Sequence, residues 1–245
     1  MEDNIKKLAD IIKDSKNIVF FGGAGVSTES GIPDFRSSGG VYESKFKNLS
    51  PEYIVSRNFF YSEPKLFYEF YFSHLVFKDA LPNKAHYALT SLQNMGKDVT
   101  VVTQNIDGLH QKAGTKKVYE LHGSVLKNAC LACGKKYDID YMVSQTDIPR
   151  CTCGGMIKPD VVLYNENLDY NTIDKSVKAI SEADLLIIAG TSLVVYPAAL
   201  FIDYFRGKHL VIINLSPTQA DARAELVIKD KVGEVLDKVI KILKE

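Results

Sequence analysis

The sequence lacks any feature that would place the chain across a membrane. No stretch approaches the roughly 18 uninterrupted apolar residues that a spanning helix requires. Residues 1–10 are charged rather than a basic segment followed by an apolar core. These absences predict neither a transmembrane helix nor a signal peptide, and we expect a cytoplasmic protein.

Net charge is also lacking, because 30 basic residues balance 30 acidic ones. Such a chain has no bulk electrostatic attraction for nucleic acid or for an anionic membrane, so we expect neither as a direct partner. The sequence also contains no internal repeat, no low-complexity segment and no linker between independent domains. At 245 residues it is long enough for one large domain, with or without a small insert.

Cysteine is scarce, and its four occurrences form two close pairs, Cys130 with Cys133 and Cys151 with Cys153. In a chain without secretory features this spacing favours a zinc site over a disulfide framework, with reduced free thiols as the alternative. Four thiolates complete the tetrahedral coordination of zinc and leave no position open for a reactant. The sequence therefore predicts one structural zinc ion rather than a catalytic one.

Short apolar runs alternate with helical patterns along most of the chain. Strands are predicted at residues 17–21, 99–102, 161–163, 185–189, 210–213 and 227–228, and helices at residues 4–14, 83–95, 172–181, 198–205 and 232–243. Residues 40–80 are rich in aromatic side chains, and Pro51 and Pro64 divide them into two or three short helices. Buried strands that alternate with helices indicate a parallel sheet with both faces covered.

The predicted fold class is therefore α/β: a Rossmann-like doubly wound parallel sheet with a small inserted zinc ribbon and a helical subdomain. The Rossmann-like domain takes residues 1–34, 81–123 and 160–245. The small domain combines a helical module at residues 35–80 with the zinc-ribbon insert at residues 124–159.

The first predicted strand runs into a glycine-rich turn, residues 22–28 (GGAGVST), where a helix is predicted to begin. Glycines between a strand and a helix let backbone amides approach a pyrophosphate, and Gly23 and Gly25 match the first two glycines of the dinucleotide fingerprint. Thr28 takes the place of the third glycine, and no acidic residue ends a second strand about twenty residues on. The turn alone fits either a dinucleotide site or a connection that binds no ligand.

Polar residues 103–110 (TQNIDGLH) directly follow the second predicted strand. Because open α/β sheets bind ligands at the carboxyl ends of their strands, Gln104, Asn105 and Asp107 are expected to project into a crevice. His122 lies in a loop after another short apolar stretch and would form a second wall. The alternative is a turn bonded to its own backbone, beside a structural histidine.

Taken together and in order, these motifs resemble those of the sirtuins, which are NAD-dependent protein-lysine deacylases. The matching segments are residues 23–27 (GAGVS), 31–36 (GIPDFR), 103–107 (TQNID), 121–123 (LHG), both cysteine pairs, 159–162 (PDVV), 190–197 (GTSLVVYP) and Asn214. The resemblance covers essentially the whole chain, and the ordered combination is far more specific than any one motif.

The resemblance implies that NAD is consumed as a co-substrate. The acyl oxygen of a modified lysine attacks the ribose carbon that bears nicotinamide, nicotinamide leaves, and the alkylamidate collapses to free lysine and O-acyl-ADP-ribose. His122 would be the general base, because imidazole titrates near neutral pH and can take a proton from a ribose hydroxyl. Asn105 would order the ribose or a nearby water.

The same resemblance assigns the NAD contacts. Phe35 would shield the reactive carbon from water, and Asp107, beside Ile106, would accept a hydrogen bond from the nicotinamide amide. The other expected NAD contacts are Gln104, Arg36, Ala24, Thr28, Thr191, Ser192, Asn214 and Val232.

Proteins or peptides that carry acetyl-lysine are the expected partners, bound as an added strand between two loops. The expected peptide contacts are Tyr164, Asn165 and Glu166 in one loop, and Val194 and Val195 in the other. Residues 164–166 depart from the Phe-Gly-Glu that is usual in the family. Members that remove succinyl or malonyl groups carry Tyr and, three residues on, Arg, whereas this chain has Tyr68 and Tyr71. An unpaired carboxylate in an apolar channel is costly, so we expect uncharged acyl groups such as acetyl.

Three other functions remain as alternatives to deacylation. A Rossmann oxidoreductase would form NADH, and a protein ADP-ribosyltransferase would use the same NAD site to label a target. A zinc-ribbon module that binds nucleic acid is disfavoured, because aspartates offset the lysines around the cysteines.

Overall fold

The computed structural model describes residues 2–37, 39–43 and 45–245. Residue 1 of the predicted Rossmann-like range and residues 38 and 44 of the predicted helical module lie outside the described residues. Within the described ranges, none of the helices combines the length and the apolar character needed to cross a membrane.

The described residues form two β-sheets and the helices that cover them. The strands are β1 (Asn17–Gly22), β2 (Asp98–Thr103), β3 (Lys117–Glu120), β4 (Gly123–Cys130), β5 (Lys136–Tyr137), β6 (Ile157–Val161), β7 (Leu185–Ala189), β8 (His209–Ile213) and β9 (Leu226–Ile228). The helices are α1 (Glu2–Asp14), α2 (Pro51–Ile54), α3 (Arg57–Ser62), α4 (Pro64–His74), α5 (Lys84–Asn94), α6 (Leu109–Lys112), α7 (Ile139–Val143), α8 (Tyr170–Ser181) and α9 (Val232–Lys244). Short 3₁₀ segments are Ala24–Val26, Thr28–Ser30, Ala198–Tyr204 and Asp221–Arg223.

The larger sheet is parallel and has the strand order β3-β2-β1-β7-β8-β9. Numbered by appearance within this sheet, the order is 3-2-1-4-5-6, which is the Rossmann arrangement. The direction of winding reverses between β1 and β7, and that switch point is where such sheets bind their ligands. The prediction of a doubly wound parallel sheet is therefore confirmed.

The two faces of this sheet are covered as the apolar runs require. One face packs against α1, α5 and α9 through residues such as Leu8, Leu89 and Leu236, all at most 1% exposed. The other face packs against α8 and the 3₁₀ segment Ala198–Tyr204, for example through Phe201. All five residues of β7 are buried, because this strand lies in the middle of the sheet.

The second sheet is antiparallel, with the order β5-β4-β6, and it forms a small unit together with α2, α3, α4 and α7. The aromatic segment supplies the core of this unit, where the rings of Phe60 and Phe67 meet edge to face at 4.9 Å. The prediction of two or three short helices is correct. The domain boundaries given above stay a prediction.

Three local predictions are wrong. Residues 161–163 do not form a strand of the parallel sheet; β6 ends at Val161 and pairs antiparallel with β4. An apolar run shows that a strand is buried but not which sheet contains it. No α-helix follows the glycine turn, because Gly31 adopts a left-handed φ of +80° directly after the second 3₁₀ segment. Ala198–Tyr204 is likewise a 3₁₀ segment rather than an α-helix.

Candidate active site

A cavity of about 750 Å³ lies where the carboxyl ends of β1, β2, β7 and β8 meet the small unit. Residues that directly follow these strands line the side toward the sheet: Gly23, Ala24, Gly25, Thr28, Gln104, Asn105, Ile106, Gly190, Thr191, Ser192 and Asn214. The opposite side includes Phe35, Arg36, Tyr42, Val55, Leu75, Leu163 and Tyr164. His122 and Val232 also line the cavity, which therefore occupies the switch point of the sheet.

The glycine turn after β1 packs directly on the turn after β7. The amide of Gly25 donates to the carbonyl of Gly190 at 2.8 Å. A Cβ on Gly25 would lie 2.8 Å from Gly190 Cα, and one on Gly23 would lie 2.7 Å from Thr191 Cβ. These glycines are thus required by the contact between the two turns, which sets the floor of the cavity.

The end of β2 carries two amide side chains with fixed orientations. Gln104 Nε2 donates to the hydroxyl of Thr191 at 3.1 Å, so Gln104 spans toward the turn after β7. Asn105, only 7% exposed, donates from Nδ2 to Ser27 Oγ at 3.0 Å. Because Ser27 Oγ in turn donates to a carboxylate, it must accept from Asn105, which leaves the Asn105 amide oxygen for a ligand.

Asp107 completes this chain of bonds, but it does not line the cavity. Its Oδ2 accepts from Ser27 Oγ at 2.7 Å, and its Oδ1 accepts from the amide of Leu109 at 2.9 Å, where α6 begins. Burial raises the pKa of this carboxyl, and the bonds from Leu109 and Ser27 oppose that change. The structure therefore brings Gln104 and Asn105 to the cavity but places Asp107 behind them. Its contact with nicotinamide stays a prediction.

His122 is held by one backbone contact to its ring and another to its own carbonyl. Its Nδ1 lies 3.0 Å from the carbonyl oxygen of Gln104, so Nδ1 carries the proton and Nε2 is left as the basic nitrogen. The amide of Val162 donates to the His122 carbonyl at 3.0 Å. Burial lowers the pKa of this imidazole, and the bond to Gln104 raises it in part. The ring is therefore neutral at pH 7 and can accept a proton.

A loop from the small unit closes one side of the cavity. Asp34 holds this loop, since its Oδ1 accepts from the amides of Arg36 and Ser37 at 2.9 and 2.7 Å. The rings of Phe35 and Tyr42 pack with their centroids 5.1 Å apart, and the Arg36 guanidinium lies 5.6 Å from the centroid of the Tyr42 ring. Phe35 and Arg36 both line the cavity, and their contacts with NAD stay a prediction.

The remaining residues expected to contact NAD also line the cavity. They are Ala24, Thr28, Ile106, Thr191, Ser192, Asn214 and Val232. Asn214 is oriented by its Nδ2, which donates to the carbonyls of Thr191 at 3.1 Å and Ser216 at 2.7 Å. The charged residues Asp230 and Lys231 also line the cavity.

The two predicted peptide loops differ in how they meet the cavity. Tyr164, Asn165 and Glu166 line it, and so does Val195, whereas Val194 is 51% exposed beside it and is not part of the wall. Asn165 has a left-handed φ of +68°, which explains why the family prefers glycine there. Asparagine is among the few other residues that adopt this conformation readily, so the departure from Phe-Gly-Glu keeps the backbone shape.

Tyr68 and Tyr71 do not reach the cavity. Both are at most 2% exposed in the core of the small unit, and the Tyr68 hydroxyl donates to the carbonyl of Ile157. The comparison of these tyrosines with an acyl-binding pair is therefore not supported by their position. The side of the cavity toward the small unit is lined instead by Val55, Leu75 and Leu163. The sequence did not predict Val55, Leu75 or Tyr42 as site residues. Nothing in their local sequence distinguishes them from core residues.

The four cysteine sulfurs converge beside the antiparallel sheet, all within 4.8 Å of one another. Three Sγ–Sγ distances are 3.5 to 3.6 Å. Sulfurs about 2.3 Å from a tetrahedral zinc ion lie about 3.8 Å apart, so this donor set could hold one ion. Gly155 is required nearby, because a Cβ there would lie 2.7 Å from Cys130 Sγ.

Comparisons with known proteins agree with this architecture. A family model described as the Sir2 family matches residues 23–197. A relative from Clostridium perfringens, named NAD-dependent protein deacetylase, is 58% identical over 243 residues, covering 98% of this chain and 100% of the relative.

Solved structures of Sir2 proteins have the same fold over nearly the full length. One, a complex with a deacetylated p53 peptide and 3′-O-acetyl-ADP-ribose, is 38% identical with a TM-score of 0.88. Another, a complex with a p53 peptide and NAD⁺, is 39% identical with a TM-score of 0.85. In both cases the match covers 97% of this chain and 98% of the other. Since the family model spans more than half of the chain and these relatives nearly all of it, the chain belongs to the Sir2 family.

Proposed function

We propose that this protein is an NAD-dependent protein-lysine deacetylase that releases nicotinamide and O-acetyl-ADP-ribose. One observation carries the proposal: His122 and the amide-bearing end of β2 face the same cavity as the glycine turn, at the switch point of a Rossmann sheet. The Clostridium perfringens relative is named for this activity, and the Sir2 complexes above contain NAD⁺, peptide or acetyl-ADP-ribose.

The residues around the cavity fit the steps of this reaction. NAD supplies an electrophilic ribose carbon with nicotinamide as its leaving group. Neutral His122 accepts the proton of a ribose hydroxyl through Nε2, while its Nδ1 stays bonded to the Gln104 carbonyl. Asn105 presents its amide oxygen to the sugar or to a water. Phe35 keeps bulk water from the reacting carbon.

The rest of the wall would bind the two substrates. Arg36 provides positive charge for the phosphates, and the turns that contain Thr191 and Asn214 hold the adenosine half. The acyl-lysine peptide enters as an added strand between residues 163–166 and 193–196, so the backbone supplies most of its affinity.

The cysteine cluster would hold a structural zinc ion. Cys130, Cys133, Cys151 and Cys153 supply four thiolates at distances suited to a tetrahedron, and the Tyr137 hydroxyl donates to Cys151 Sγ at 3.1 Å. The bound ion would stabilise the turns that follow β4 and precede β6. Four thiols that must stay reduced, together with the use of NAD, favour a cytoplasmic location.

The test is incubation with an acetyl-lysine peptide with and without NAD. We expect loss of the acetyl group only when NAD is present, and His122→Ala and Asn105→Ala should each reduce the rate by about 100-fold or more. His74→Gln is the control, because this histidine lies outside the cavity wall and should be dispensable. Acetyl loss without NAD, or a fully active His122→Ala variant, would exclude the proposal.

A further inference from the structure

Glu166, which the family resemblance assigns to the peptide, is engaged within its own loop. Its Oε2 accepts from the amide of Leu163 at 3.0 Å, and its amide donates to the Leu163 carbonyl at 2.9 Å. The same Oε2 accepts from Lys158 Nζ at 3.1 Å. The carboxylate thus closes the loop and ties it to β6.

Lys158 satisfies all three of its ammonium donors at this point. Besides Glu166, Nζ donates to the carbonyls of Val161 at 3.0 Å and Pro159 at 3.3 Å. Its side chain is 16% exposed and that of Glu166 is 19% exposed, so water screens this pair far less than a surface pair. The ammonium also lies 5.9 Å from the ring of Phe60 in the helical part of the small unit.

The loop that Lys158 holds is the one proposed to pair with the peptide. Its other anchor is a pair of backbone bonds to the helical part: the amide of Tyr164 donates to Val55 and the amide of Arg57 donates to Tyr164, at 3.0 and 2.9 Å. Strand addition needs an edge whose amides and carbonyls are already in place, because ordering them on binding costs affinity. Lys158 itself is not part of the cavity wall.

On this basis we propose that Lys158 is a positioning residue for the acyl-lysine peptide, acting through Glu166 on residues 163–166. The inference rests on the proposed function, and it makes Glu166 a support of the loop rather than a side chain that contacts the peptide. Without the ammonium, the carboxylate would be half-buried beside carbonyl oxygens and would turn toward water, which releases the loop.

The experiment compares Lys158→Met with Lys158→Arg in steady-state deacetylation. We expect Lys158→Met to raise the KM for an acetyl-lysine peptide about tenfold, with kcat and the KM for NAD changed by less than about twofold. Lys158→Arg keeps the charge and should restore most of the peptide affinity. The control is Lys127→Met, which removes a lysine of the neighbouring β4 that is 63% exposed and paired with Glu120 at 2.7 Å.

Direct peptide binding, followed by fluorescence anisotropy without NAD, separates this inference from the proposed function. A wild-type protein that binds the peptide but does not deacetylate it refutes the proposed function alone. Unchanged peptide affinity in Lys158→Met, an equal loss in Lys127→Met, or a parallel change in kcat and both KM values refutes the positioning role. If Lys158→Met does not fold, Glu166→Gln must show the same selective loss of peptide affinity, and its absence overturns the inference.

Discussion

Gly123→Ala should inactivate the enzyme through a single methyl group outside the cavity wall. Gly123 follows His122 directly and adopts a left-handed φ of +73°. A Cβ at this position would lie 1.8 Å from the carbonyl oxygen of Asp160 on the adjacent strand. The backbone on either side of the methyl group must therefore separate, and the imidazole moves with it.

The magnitude follows from the size of this overlap. A contact below 3.0 Å is not tolerated, so the backbone must shift by about 1 Å or more. A displacement of about 1 Å in a catalytic group costs about 100-fold in rate. The left-handed backbone adds about 1–2 kcal/mol of destabilisation for alanine, whatever the space around it.

Gly96→Ala is the matched control, because Gly96 also has a left-handed φ, +90°, but a Cβ there meets nothing within 4 Å. This variant should lose only the stability that the left-handed backbone costs alanine. Its Tm should fall by about 2–4 °C for each kcal/mol lost, and its kcat/KM should be unchanged. Deacetylation kinetics and thermal unfolding of both variants decide the matter. Equal activity in the two variants would refute the claim that this contact positions His122.

Three further predictions concern protons and the acyl group. Because burial lowers the pKa of His122 from 6.5, the acidic limb of kcat/KM should be centred below pH 6.5; a limb centred at or above 6.5 contradicts this. Burial also lowers the pKa of His86 to about 4, so the unfolded chain binds a proton between pH 6.5 and 4 that the folded chain does not. Stability should fall as pH falls through this window, by up to about 3 kcal/mol, and urea unfolding of His86→Asn should show a smaller loss. Finally, acetyl peptides should react at least about tenfold faster than succinyl peptides, because we expect the acyl group on the apolar side of the cavity that Val55, Leu75 and Leu163 line; faster desuccinylation would show that a cation reaches that side.

Most strands of the large sheet could be predicted because they are short, uninterrupted apolar runs between helical patterns. Residues 185–189 lie in the middle of a parallel sheet, and their uninterrupted apolar character indicates burial on both faces. The cysteine spacing was equally informative, because it predicted that the two close pairs of thiols meet. The chain between the pairs must fold back to bring them together, and the four sulfurs lie within 4.8 Å of one another.

Positions that depend on tertiary packing could not be predicted. Residues 157–163 combine apolar residues with Lys158 and Pro159, and only their pairing with β4 decides that they leave the parallel sheet. Asp107 follows the cavity-lining residues by one position, yet its bond to Ser27, 80 residues away in the chain, turns it behind them. The proposed role of Lys158 depends on its contact with Glu166, eight residues later. From the motif alone, the Glu166 carboxylate is assigned to the peptide, so the sequence gives no sign of this contact.

The most direct test of the whole account is the stoichiometry of the reaction. Nicotinamide and deacetylated peptide should be quantified together, by chromatography, after incubation of the protein with NAD and an acetyl-lysine peptide. One nicotinamide should be released for each lysine freed, and neither product should form with His122→Ala. Formation of NADH, or a freed lysine with NAD left intact, would contradict it.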